Sequence, residues 1–185
     1  MDERARMTFD TDLHRRRLAV LFRLVLAILP AIVLAAWTVL ALPAVLVAWL
    51  ATLVRGRTPR PLHRFLRGYV RYSAQVAAWW HLVSGRFPNP RRRDVHPVQL
   101  AASRLPQGRI VALFRILLAV PSLVLGSVLG VVLSVTGVAA WFVALTRGRT
   151  TEGLRELGAF CVRYQVEVLA YVLLVTPHAP KLGVD

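Results

Sequence analysis

Leu24 to Val54 is a run of 31 residues without a charged side chain, closed on each side by an arginine, Arg23 and Arg55. Ile116 to Thr146 is a second such run of 31 residues, closed by Arg115 and Arg147. A helix of about 20 apolar residues already matches the hydrocarbon core of a bilayer, so both runs are expected to lie in lipid. Every other reading of the chain has to be compatible with that placement.

The composition agrees. Hydrophobic residues make up 56% of the chain, against 24 Lys+Arg, 9 Asp+Glu and a formal net charge of +15. All of the cations except Lys181 are arginines. A basic chain seeks anions, and with apolar runs this long the expected anions are phospholipid headgroups rather than nucleic acid. The single Cys161 excludes an internal disulfide and a cysteine-rich metal site. The first apolar run is too long for a cleaved signal segment and is expected to be retained.

From Leu18 to Val54 the only charge is Arg23, across 37 residues. One helix of that length would measure about 55 Å, against a hydrocarbon core of about 30 Å. The pattern therefore predicts a helical hairpin turning within residues 36–43, where Trp37 and Pro43 stand. Pro30 then kinks the first arm. Arg15, Arg16 and Arg17 precede the run, and Arg55, Arg57 and Arg60 follow it. Positive residues flanking spans stay in the cytoplasm, and a hairpin would keep both clusters there.

After Thr58-Pro59-Arg60-Pro61 the period changes. Leu62, Phe65, Leu66, Tyr69, Ser73, Val76 and Trp80 share one helical face, and Arg60, Arg64, Arg67 and Arg71 share another. That pattern predicts an amphipathic helix lying in the interface. A proline- and arginine-rich stretch without periodicity follows, from residue 85 to 108.

Then the chain repeats, displaced by 92 without a gap. Leu21-Phe22-Arg23 becomes Leu113-Phe114-Arg115, Ala48-Trp49 becomes Ala140-Trp141, Arg55-Gly56-Arg57-Thr58 becomes Arg147-Gly148-Arg149-Thr150, and Arg71-Tyr72 becomes Arg163-Tyr164. The expected organisation is a tail at 1–13, repeat one at 14–90, a linker at 91–108, repeat two at 109–180 and a tail at 181–185. The expected fold is all-α: a polytopic integral membrane protein, each repeat a helical hairpin plus an amphipathic interfacial helix. Two crossings per copy keep every arginine cluster on one side, giving four in all. Six remain open, because residues 168–175 (VLAYVLLV) are also apolar.

LFRILLAVP, then AWFVALTRGRT and RYQVEVLAYVLLV, with the looser first set LFRLVLAILP, AWLATLVRGRTP and RYSAQVAAWWHLV, resemble the bacterial membrane family called domain of unknown function 4389. The resemblance covers about residues 14–180 as two tandem units. It implies an integral membrane protein of the bacterial cytoplasmic membrane, without assigned activity, and supplies no catalytic residues.

The residues themselves offer little chemistry. His14, His63, His81, His96 and His178 stand at no metal-ligand spacing, and neither long run holds an acid. No enzyme activity, cofactor or metal is expected. Arg23 and Arg115 lie about one turn inside each block, where they snorkel to headgroups or grip a phosphate or a partner carboxylate. With Arg60, Arg64, Arg67, Arg71 and Arg163 they form the candidate anionic-lipid contacts. Gly126, Gly130 and Ser134 are spaced for close helix packing, within the chain or between copies of it. The expected partners are membrane lipids, other membrane proteins or a second copy. The expected function is the organisation of anionic lipid or the scaffolding of a membrane complex. A small channel or transporter subunit is the alternative, an enzyme acting on lipids comes third, and nucleic-acid binding comes last.

Overall fold

A computed structural model describes residues 17–56, 58–84, 87–89, 109–147, 150–176 and 180, with backbone alone for 17–24, 109–113 and 115–118. Both tails and the 91–108 linker lie outside the described residues. There are four helices: α1 (Arg17–Arg55), α2 (Arg60–Trp80), α3 (Arg109–Arg147) and α4 (Glu152–Val172). Among the described residues there is no strand. The limits of α3 and α4 are those of α1 and α2 displaced by 92, the interval of the sequence repeat.

The expected hairpin inside each apolar run does not form. α1 continues for 39 residues through Pro30, residues 36–43 and Pro43, and α3 for 39 residues through Pro121. The physical reason is an imbalance of costs. Each internal proline removes one backbone hydrogen bond, whereas a turn orphans about four N–H and four C=O groups. Residues 36–43 (AWTVLALP) contain no Gly, Asn, Asp or Ser to satisfy them. Arg17 and Arg55 accordingly stand at opposite ends of one helix.

Each long helix buries only a narrow stripe. Ala27, Ala41 and Ala48 are buried on α1, and Ala119, Leu133 and Ala140 on α3. Half-buried Leu34 and Gly126 continue the seven-residue interval. Small side chains along such a seam let neighbouring helices approach closely. Outside the seam α1 exposes Val25, Ile28, Leu42, Leu46, Leu50 and Val54, and α3 exposes Val124, Val131, Val135 and Phe142. Only 17% of the most apolar window of α1 is buried, and 28% of that of α3. The core helix of a soluble protein would be mostly covered. Both helices are long and apolar enough to cross a membrane.

α1 packs on α2 and α3, while α4 packs on α3 and α2. α2 runs back along α1: Thr58 meets Thr52, Phe65 and Tyr69 meet Trp37, and Tyr72 reaches Pro30. Leu82, just past α2, packs with Ala140 and Ala144 near the end of α3 and with Leu154 at the start of α4. Reciprocally, Val175, just past α4, accepts a hydrogen bond from His63 at the start of α2. So α2 opposes α4, α1 opposes α3, and the two copies are related by an approximate two-fold axis. α2 and α4 do not stand apart from one another. They are packed together, their Leu66, Val70, Ala74, Val162, Val166 and Ala170 lying in the main core.

Each copy ends in a leucine with positive φ, Leu82 at 59° and Leu174 at 58°. This is the left-handed residue that terminates a helix, a place where glycine is usual. Ser84 N–H bonds back to Ala78 O at 2.9 Å, and Val175 N–H to Ala170 O at 2.9 Å. Both leucines are buried. Burying a leucine side chain contributes about 1.5–3 kcal/mol, which offsets a left-handed conformation costing about 1–2 kcal/mol.

Candidate functional site

The charged face of α2 begins at Arg60 and Arg64, both exposed. Arg67 and Arg71 are half-buried, and the Nε atom of each is shut off from solvent. α2 carries four arginines and no acid, whereas α4 carries Arg155 and Arg163 against Glu152, Glu156 and Glu167. Arg60 and Arg64 are replaced in the second copy by Glu152 and Glu156. Arg163 Nε lies 3.2 Å from Glu167 Oε1, one turn away on the same helix. The matching position in copy one is Gln75, whose Oε1 instead accepts the backbone N–H of Asn89 at 2.9 Å. The arginine face thus belongs to copy one alone. Arg23 and Arg115 lie on α1 and α3, and their side chains fall outside the described residues.

Behind this face lies an aromatic seam that positions α2 on α1. The Trp37 ring stacks on Tyr72 at 5.6 Å and meets Phe65 at 6.0 Å and Tyr69 at 6.4 Å. Gly68 leaves room for it, since a Cβ there would lie 3.2 Å from Trp37 Cζ2. Thr38 donates its hydroxyl hydrogen to Leu34 O at 2.7 Å, so Tyr69 donates to Thr38 Oγ1 at 3.0 Å. Tyr72 donates to Pro30 O at 3.4 Å. Sequence reasoning took Trp37 for the marker of a turn. Phe65, Tyr69 and Tyr72, at helical spacing on α2, form the face it packs against.

Gly126 and Gly130 of α3 face α4. A Cβ at Gly126 would meet Val168 Cγ2 at 3.8 Å and Tyr164 Cε1 at 4.0 Å, and one at Gly130 would meet Gln165 Nε2 at 2.9 Å. Ser134 is exposed, its hydroxyl donating to Gly130 O at 2.9 Å. The glycine pair therefore packs inside the chain, and Ser134 does not extend that seam.

Sequence reasoning missed His63 altogether, since nothing near it marks a partner. The side chain is buried and its Nε2–H donates to Val175 O at 3.0 Å, joining the copies. Among the described residues no three His, Cys, Asp or Glu side chains converge as metal ligands.

The hydroxyls on the long helices are satisfied locally. Thr52 donates to Ala48 O, Thr136 to Val132 O and Ser127 to Val124 O, each at 2.7 Å, and Thr146 donates to Phe142 O at 2.9 Å. A hydroxyl that returns to its own helix can be buried in hydrocarbon without an orphaned hydrogen.

Tandem units with these limits match one family profile, Domain of unknown function (DUF4389), at residues 17–91 and again at 109–182. The chain belongs to this family. No curated protein and no solved structure matches the chain. The family's description assigns no activity, so the argument for function rests on the residues.

Proposed function

We infer that this member of the family is a non-enzymatic protein of the bacterial cytoplasmic membrane that gathers anionic lipid or scaffolds a larger membrane assembly. Its termini and arginine-rich segments face the cytoplasm. One observation carries the reading: the outer surface of α1 and α3 is predominantly hydrocarbon. Soluble monomers rarely expose apolar patches of more than a few hundred Å². The arginine face of α2 supplies the lipid preference, each basic side chain near an anionic leaflet contributing about 1 kcal/mol before screening.

The test uses the full chain in mixed vesicles of phosphatidylglycerol and phosphatidylcholine, with retained lipid identified after extraction in mild detergent. The wild-type protein is expected to retain phosphatidylglycerol preferentially. Replacing Arg60, Arg64, Arg67 and Arg71 by glutamine is expected to lower that retention by up to about fivefold per exposed arginine. Equal retention of both lipids by the wild type would sink the lipid-organising reading.

A second reading, a small transporter subunit, is favoured by the opposed directions of the two copies, an arrangement on which many transporters are built. Against it, the described interior is largely apolar, with Thr52, Thr136, Thr150, His63 and Gln75 its few buried polar residues. Solute flux into proteoliposomes above the protein-free level would favour this second reading.

A further inference from the structure

We propose that α1 and α3 do not cross the bilayer but lie along it within one leaflet, leaving α2, α4 and all the arginine-rich segments on the cytoplasmic side. The proposal rests on the membrane reading above and specifies how the protein sits in lipid.

The first argument is the connection between the copies. Leu82 packs beside Ala140 and Ala144, close to the end of α3. α3 begins at Arg109, which lies about 46 Å from the level of Ala140 at 1.5 Å per residue. Residues 85–108 must cover that distance, and 24 residues can reach up to about 80 Å. The described beginning of this connection turns back along α2: Phe87 meets Trp79 at 5.4 Å, and Asn89 bonds to Gln75. If α1 and α3 spanned the membrane, this connection would have to span it too. It carries Pro88, Pro90, Pro97 and Pro106 together with Arg86, Arg91, Arg92, Arg93, Asp94 and Arg104. That density of charge and proline is not tolerated in the hydrocarbon core.

The second argument is length. The charge-free runs in the two long helices are each 31 residues, about 46 Å. Fitting them across a core of about 30 Å needs a tilt of about 50°, beyond the usual range of 0–40°.

The third argument is the direction of the two-fold axis. It passes between α1 and α3 and between α2 and α4, so the bundle has an apolar side and a charged side. Most of the exposed large apolar residues among those described lie on α1 and α3. On α2 and α4 only Trp80 and Leu157 are of that kind, beside exposed Arg60, Arg64, Glu152 and Glu156. With the axis along the membrane normal both copies meet the same environment, and Arg55 and Arg147 fall on one side, as the positive-inside rule asks. With the axis in the membrane plane, Arg55 and Arg147 would lie on opposite sides.

Single cysteines at these two exposed ends, Arg55→Cys and Arg147→Cys, distinguish the arrangements. Cys161 is buried, and the parent chain serves as its silent control. An impermeant maleimide is expected to label neither position in intact cells and both in inverted vesicles. Labelling of one position from each side, or of half the molecules at each, would overturn the proposal. Polarised infrared spectra of the unmodified chain in oriented bilayers give an independent readout: the long helices are expected in the membrane plane, and a helix axis near the normal would overturn the proposal. Carbonate extraction separates the two levels. Release from the membrane would refute the membrane reading itself, whereas retention with opposed ends would refute this proposal alone.

Discussion

His63, near the start of α2, donates through Nε2 to the carbonyl of Val175, just beyond the end of α4, across 3.0 Å. The two residues are 112 apart in sequence. The bond fastens the start of one copy's short helix to the end of the other's, and it fixes the neutral imidazole as the Nε2–H tautomer.

His63→Ala leaves the Val175 carbonyl buried without this donor. A buried acceptor so orphaned costs about 1–3 kcal/mol. Thermal unfolding of the full chain in detergent should register a lower midpoint, and His63→Gln should recover part of it. An unchanged midpoint in the alanine variant would deny the bond its structural role.

Gly158 and Gly153 separate packing from helix propensity. A Cβ at Gly158 would lie 2.9 Å from Val83 Cγ2, while at Gly153 it would meet nothing within 4 Å. Because valine is stiff about χ1 and cannot swing aside, Gly158→Ala is expected to cost about 1–3 kcal/mol. Gly153→Ala, in the first turn of α4, is expected to be neutral or to stabilise by up to about 1 kcal/mol. Denaturation of both variants side by side checks the sign of each.

Leu82 and Leu174 combine strain with burial. Leu82→Gly removes the left-handed penalty of about 1–2 kcal/mol but also a buried side chain, whose truncation costs about 2–5 kcal/mol. The net effect is expected to be destabilising, yet smaller than that of Leu66→Ala, where a fully buried leucine sits within a regular helix. A Leu82→Gly loss equal to or larger than that of Leu66→Ala would show that the left-handed conformation stores no strain.

Much of the architecture was legible because helical structure is local. The charge-free runs, the amphipathic period from Leu62 to Trp80 and the displacement of 92 marked two matched sets of helices, although each apolar run was expected as two helices and is one. The arginine face of α2 was legible for the same reason. Trp37 and Pro43 misled: each is a fair turn marker by itself, but a continuous helix wastes fewer backbone hydrogen bonds than a turn with little beyond the Thr38 hydroxyl to cap it. His63 was invisible because a histidine in an amphipathic helix carries no mark of a partner 112 residues away.

By itself, then, the sequence determined which segments are apolar, which are amphipathic and that the chain is built twice, since periodicity acts within a few residues. Only the tertiary structure decided that each apolar run is one helix and that the copies lie head to tail. Direction depends on fits such as Val83 against Gly158 and His63 against Val175. Hydrophobic pattern names the face a helix must cover and is silent on which segment covers it, or from which end.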